Sequence, residues 1–394
     1  MPTKQANIDT IVQNLTDDQL LQSLRTIIKN KESKIKILKS LEADKIKDII
    51  DMHKNNTSLP NNPIAVIPQQ SVVNTPVAKT GKGNSKKSYM EEHVFPIGFK
   101  FDLNRSKFEI TKYKAMTSDA ILYEGKCIES SSNPSYVDKE VFVKVQPRHK
   151  KTVFQVTSES NTINQLTKNG CSKYIQKELA YGCYNESVYI LVSPLYGSDL
   201  QDVEDISIIK PLAYKICEAL KSIHLCGFYH YDIKQANIVF KNRTNQNDVL
   251  LIDFGTSGSI FDRNGNRKEK PSGIEGTNIY MSTMQHNGKT EPFYLIMSDI
   301  QCLAWTLLDM IDGCPWRRLL GMNHKDMFER ICSDKEQYIA NYRRHGALGE
   351  LAKYTIDHKK EEFDTIKKES DIEQNRAYID KTYKDIYKIL DKLS

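Results

Sequence analysis

His230-Tyr231-Asp232-Ile233-Lys234-Gln235-Ala236-Asn237, with Asp253-Phe254-Gly255 downstream, decides how the rest of the chain is read. Moving a phosphoryl group needs few covalent events. It needs a carboxylate to take the acceptor's proton, oxygen ligands for a divalent cation, and an amine to place phosphates. Asp232, Asn237, Asp253 and Lys234 supply those groups in the expected order. Apolar Ile238-Val239-Phe240 and Val249-Leu250-Leu251-Ile252 predict a hairpin that brings Asp253 back to the loop. A lone Asp-Phe-Gly arises easily by chance; the loop and the triplet together do not.

In that frame Asp232 is the expected base, Lys234 neutralises charge on the moving group, and Asn237 and Asp253 are the expected metal ligands. Two partners should lie upstream. Val141-Phe142-Val143-Lys144 ends an apolar strand in a lysine suited to nucleotide phosphates, although such a lysine also has a bland reading, snorkelling to solvent. Glu159, on the helix predicted from Val153 to Lys168, can pair with it. The glycine-rich phosphate loop is where the pattern frays. Read back from Leu122, its three glycine positions hold Ala115, Thr117 and Ala120. All are small, so close backbone approach stays open, but the freedom of glycine is reduced. Val192-Ser193-Pro194-Leu195 should link two lobes and grip adenine through backbone groups. Pro194 has no N–H, and Leu195 is the expected donor.

These residues resemble the casein kinase 1 group of protein kinases, and most closely the vaccinia-related kinases within it. The resemblance rests on Tyr196-Gly197-Ser198-Asp199-Leu200-Gln201 after the hinge and on Ile223-His224 through Gly227 before the loop. It rests also on Glu275-Gly276-Thr277-Asn278-Ile279-Tyr280 with Ser282, His286 and Gly288 in place of the usual Ala-Pro-Glu segment. Ser298-Asp299, Gly313-Cys314-Pro315-Trp316 and Gly349-Glu350-Leu351-Ala352-Lys353-Tyr354 extend it, so the likeness runs from about residue 90 to the end. It implies a bilobal α+β fold, with a β-rich lobe over about 90–195 and a helical lobe over about 196–394. It implies ATP with Mg2+ (or Mn2+), and transfer to serine or threonine of protein substrates. Lys144, Glu159, Ala115, Thr117, Ala120, Leu122, Val192, Ser193, Leu195 and Asp253 would line the ATP site. Thr277 would contact Asp232 and Lys234, and Asp299 would brace the loop backbone. The departures are the glycine-free loop and the Ser130-Ser131-Ser132-Asn133-Pro134-Ser135 insertion. Tyr231 stands where many kinases use an arginine to grip a phosphorylated activation loop. Tyrosine cannot make that bidentate charge pair, so activity without such phosphorylation is expected. The alternative reading is a catalytically weak or dead pseudokinase acting as a scaffold.

The remaining sequence frames this domain. The chain has 394 residues, 39% hydrophobic and 27% charged, a globular composition. A net charge of +6 permits acidic partners, but direct nucleic-acid binding is not indicated. The first residues lack a secretory h-region, and no apolar run is expected to span a membrane. The eight cysteines contain no Cys-x-x-Cys and read as buried free thiols of a reducing compartment: cytoplasm, nucleus or, for a viral source, the virion or host cell. Apolar stripes over residues 8–54 read as a small helical module, either self-packed or recruiting a partner. Residues 55–89 read as a flexible basic linker; Gly81-Lys82-Gly83 lacks the spacing of a Walker loop. Strands are expected at 107–115, 120–128, 140–146, 175–184 and 187–193, with mostly helix after Gly197. His224 and His230 read as packing residues, and Trp305 and Trp316 as core. Ile379, Tyr383, Ile386, Leu390 and Leu393 make either a short coiled-coil seam or, more in keeping with two heptads, a face docked on the helical lobe. A monomer is expected.

Overall fold

Alternating apolar and polar residues fold the first third of the described chain into a six-stranded antiparallel sheet. In this computed structural model the described residues are 86–148, 155–242, 245–262, 264–270, 275–358, 360–366 and 371–393. The helical module expected over 8–54, and the linker up to residue 85, lie outside them. The last residues of the expected linker differ from the expectation: Lys86–Glu91 is a helix, α1, and Met90 is buried in the core of the sheet. One apolar anchor in a polar run is enough to end the tether early.

The strands are β1 (Lys100–Leu103), β2 (Ser106–Met116), β3 (Ile121–Ser130), β4 (Glu140–Pro147), β5 (Ala180–Tyr184) and β6 (Val188–Pro194), in the spatial order β1-β2-β3-β4-β6-β5. Helix α2 (Gln155–Lys168) follows β4. Phe101, Phe108, Ile110, Ile121, Tyr123, Val141, Val143, Val145, Ile190 and Val192 fill one face of the sheet. The strand expected over 175–184 begins only at Ala180. Ile175 belongs to the helical lobe's core and makes a parallel bridge to Leu251, whereas Leu179 belongs to the sheet's core. The segment is crossing from one core to the other, and no strand can pair while doing so.

The second lobe holds α3 (Ile209–Leu225), β7 (Phe228–Tyr229), the hairpin β8 (Ile238–Asn242) and β9 (Asn245–Leu251), β10 (Gly258–Ser259) and α4 (Thr283–His286). It continues through α5 (Pro292–Ile311), α6 (His324–Ala340), α7 (Gly346–Asp357), α8 (Lys360–Asp364) and α9 (Ile372–Leu390). Helix α5 is buried along nearly its whole length and forms the centre of the lobe. By length and composition alone it is apolar enough to cross a membrane, contrary to the expectation that no such run exists; its burial is that of a core helix. Trp305 on α5 and Trp316 meet edge to face at 5.0 Å. The apolar face of α9 is buried, with Tyr387 stacked on Tyr214 of α3 at 5.5 Å. The last helix is therefore docked on the helical lobe.

Gly197 fixes how the lobe-connecting segment meets β8. Its N–H donates to Phe240 O at 2.9 Å, and a Cβ there would lie 2.9 Å from the carbonyl oxygens of both Phe240 and Asn242. Gly197→Ala is expected to destabilise the protein by about 1–3 kcal/mol. Chemical denaturation checks this; an unchanged midpoint would contradict the close approach.

Candidate active site

Strand parity places the first half of the site. The register across the sheet runs Ala115–Leu122–Lys144–Leu191, so these residues share one face. Lys144 reaches off that face between two carboxylates. Its Nζ lies 2.8 Å from Glu159 Oε2 and 2.6 Å from Asp253 Oδ1. Glu159 is brought there by the inward face of α2 and has only 2% of its side chain exposed. Gln176 Nε2 donates to its other oxygen at 2.7 Å, so the buried carboxylate is satisfied on both sides. Burial works against the Lys144 ammonium, but the Asp253 and Glu159 charges outweigh it and raise its pKa. Burial would likewise raise the Asp253 carboxyl; Lys144, helped by Lys234 and His230, holds it down to about 2. Asp253 sits at φ 63°, in the left-handed region, and 42% of its side chain stays exposed.

The second half centres on one carboxylate bonded at both oxygens. Asp232 Oδ1 accepts from the Thr277 N–H and from Thr277 Oγ1, both at 3.0 Å. Its Oδ2 accepts from Lys234 Nζ at 2.6 Å and from Asn237 Nδ2 at 3.0 Å. Lys234 Nζ also donates to Thr277 Oγ1 at 2.9 Å. Asn237 spends its amide N on the Asp232 side chain and backbone, which turns its Oδ1 to other use. The loop is braced from below. Asp299, fully buried on α5, accepts the N–H groups of His230 and Tyr231, each at 2.7 Å. His224 Nε2 donates to Asp299 at 3.0 Å, and the Tyr383 hydroxyl of α9 then donates to His224 Nδ1 at 2.9 Å. These bonds hold Tyr231 at φ 72°, a strained value for a non-glycine residue.

Asp232, Lys234, Asn237, Asp253, Lys144, Glu159, Thr277 and Asp299 are thus brought together as expected. Several nucleotide-site expectations are corrected. Val192 pairs with Val143 and faces the sheet's core, fully buried, because it lies one residue out of phase with Lys144. Ser193, the next residue, is on Lys144's face. Leu195 gives its N–H to Glu140 O at 3.2 Å; the following N–H, that of Tyr196, has no acceptor among the described residues and is the better candidate donor. At the β2–β3 tip, the Thr117 N–H donates to Ala120 O at 2.8 Å. Thr117 Oγ1 accepts from the N–H groups of Ala120 at 3.0 Å and Asp119 at 3.3 Å. The backbone donors that a phosphate would need are turned inward.

Four contributors had no motif to announce them. Gln176 orients Glu159, as above. Gln285 Nε2 donates to Tyr231 O at 2.7 Å. Lys270 pairs with Glu275 at 2.6 Å and lies 4.8 Å over the Tyr231 ring. Lys335 of α6 is fully buried. Its Nζ donates to Asn278 O at 2.8 Å and Met281 O at 2.6 Å, with His286 Nε2 at 3.3 Å. Burial lowers that ammonium's pKa to about 7. Burial and Lys335 together lower His286 to about 3, which leaves the imidazole neutral and able to accept. A lysine in phase with Ile331, Tyr338 and Ile339 was the available signal for Lys335.

Comparison with known proteins agrees with this geometry. The family described as the protein kinase domain matches residues 125–369, starting just beyond the hairpin tip. Serine/threonine-protein kinase VRK1 of Caenorhabditis elegans is 26% identical over 183 residues, 44% of this chain and 27% of that protein. A probable serine/threonine-protein kinase of fowlpox virus is 30% identical over 156 residues, 37% of this chain and 48% of that protein. The chain therefore spans less than half the length of these curated relatives. The solved structure of vaccinia related kinase 3 superposes with a TM-score of 0.54 at 17% identity, covering 77% of this chain and 97% of that one, which speaks to the fold.

Lys335 ties down the segment whose first residue holds Asp232. Lys335→Met, similar in length but without donors, should speed hydrogen exchange of the 277–281 amides by about tenfold or more. Unchanged exchange there would show that the carbonyl contacts hold nothing in place.

Proposed function

Because the chain belongs to the protein kinase domain family, we propose that it is an active serine/threonine protein kinase that needs no phosphorylation of its own activation segment. One observation carries the kinase reading: Lys144 bridges Glu159 and Asp253 while Thr277 is seated on Asp232. On this reading both halves of a phosphoryl-transfer site are assembled at once.

The donor set fits a hard cation. Asp253 offers an exposed carboxylate oxygen not engaged by Lys144, and Asn237 offers the amide oxygen left over from its bonds to Asp232. When bound, Mg2+ supplies charge neutralisation between the phosphates. Lys144 would hold the nucleotide's phosphates, and Ser193 with the Tyr196 N–H would border the base. An acceptor hydroxyl aligned by Asp232 attacks the γ-phosphorus. The bond from phosphorus to the β–γ bridging oxygen breaks, ADP leaves, and the hydroxyl proton passes to Asp232 late in the transfer. Lys234 faces the charge on the moving group. Protein hydroxyls of serine and threonine are the proposed acceptors, in line with the names of the relatives.

Tyr231 supports independence from phosphorylation. It cannot grip a phosphate, and Lys270 already occupies its face while paired with Glu275. The stapled tip at Thr117 favours a second reading, a weak or inactive scaffold with poor ATP affinity.

Radiolabelled ATP and a generic protein acceptor separate the two. Phosphatase-treated protein is expected to keep most of its transfer rate. Asp253→Ala should drop to background with its thermal midpoint retained. Complete loss of activity after phosphatase treatment would refute the regulatory reading, and absence of transfer by untreated protein would favour the scaffold.

A further inference from the structure

Helix α2, which carries Glu159, ends at Lys168, and the turn that follows begins with Cys171. Cys226 forms the C-terminal cap of α3 in the helical lobe. The two sulfurs are 3.0 Å apart, although the residues are separated by 55 positions in sequence. We propose that Cys171 and Cys226 are an oxidative modification site, joined by mild oxidants of the peroxide or disulfide class into one reversible disulfide.

Position, chemistry and access all support this. Among the described residues no other pair of cysteine sulfurs makes a recorded contact, and all eight cysteines are free thiols. The two thiols share a hydrogen bond in which either can donate; the Ser222 hydroxyl donates to Cys171 Sγ at 3.3 Å, and Cys171 Sγ can donate to Ser222 O at 3.4 Å. The hydrogen bond from Cys226 is the main cause that lowers the Cys171 thiol to about 7, against burial; Cys226 is raised in turn. Proton loss from the pair therefore falls more readily on Cys171, and a thiolate is the species that reacts. Cys171 is buried, but Cys226 is partly exposed. A cavity of about 530 Å³ lies alongside, lined by Asn169, Phe228, Ser158 and Lys268. Cys226 Sγ donates to Asn169 O at 3.7 Å, and small oxidants reach the pair through the partly exposed Cys226.

The chemistry balances with the oxidant named. With hydrogen peroxide, a sulfur–oxygen bond forms on one thiolate, the oxygen–oxygen bond breaks, and water leaves after protonation. The neighbouring sulfur then loses its proton and attacks the sulfenic sulfur, expelling a second water. Two thiols are oxidised and one peroxide is reduced. The sulfurs already touch while Lys144 holds Glu159, so forming the bond asks them to close by only about 1 Å. It closes a long loop and ties the end of α2 to α3. This inference stands apart from the kinase reading, since its readout is covalent.

The full-length protein is treated with oxidised glutathione or dilute peroxide, alkylated and mapped by mass spectrometry. A peptide linking Cys171 to Cys226 is expected, removed by dithiothreitol, together with an upward shift of the thermal midpoint. Cys226→Ser should lose both the linked peptide and the shift; Cys171→Ala serves if that variant folds poorly. Both cysteines remaining alkylatable after treatment, or cross-links formed only between molecules through exposed Cys183, would overturn the proposal.

Discussion

A buried ammonium held between two carboxylates organises this molecule. Lys144 comes from the sheet, Glu159 from α2 and Asp253 from the segment after the β8–β9 hairpin. Removing Lys144 would leave Glu159 as an uncompensated charge in a dry place, at a cost of about 3–5 kcal/mol, whereas without Asp253 the ammonium keeps Glu159 as its partner. The sheet, the helix and the helical lobe must therefore agree in position before any of the three side chains is tolerated. Asp253 accepts a left-handed backbone to take part. The strain is held by the same contacts that give the site its chemistry.

A second constraint runs through the helical lobe. Asp232 has every oxygen engaged, and each of its partners is fixed by something deeper. Asp299 holds the loop backbone, His224 holds Asp299, and Tyr383 reaches His224 from the last helix of the chain. Thr277 is held by its neighbours: Asn278 and Met281 are anchored on Lys335, and Ile279 O receives the Trp316 indole N–H at 2.8 Å. Buried polar groups in a connected network of this kind specify one arrangement of the loop. The segment after Thr277 is anchored by an inward-pointing lysine on backbone carbonyls.

The centre of the site was legible because its spacing is local. Asp232, Lys234 and Asn237 share one loop, and Asp253 returns through a short hairpin that apolar runs announce. Lys144 and Glu159 were legible as a strand-end lysine followed by a helix. The nucleotide edge was less so. Val192 was misplaced because one residue of strand phase decides which face it takes, and the sequence of an apolar strand does not show that phase. Leu195 was misread because its N–H is claimed by Glu140, a partner more than fifty residues away. Gln176, Gln285, Lys270 and Lys335 act through contacts made only by folding, and of these only Lys335 left a trace, a charge in an apolar stripe. Small residues at the hairpin tip gave no sign that Thr117 would turn the backbone donors inward.

The claim under all of this is that Asp253 and Asn237 present oxygens to a metal carried by a triphosphate that Lys144 holds. Calorimetric titration of ATP with and without Mg2+, on wild type and on Asp253→Asn, tests it most directly. Binding that strengthens with Mg2+ in the wild type and loses that dependence in Asp253→Asn is the predicted result. ATP binding that is equally tight in chelator, or a magnesium dependence untouched by the substitution, would contradict it.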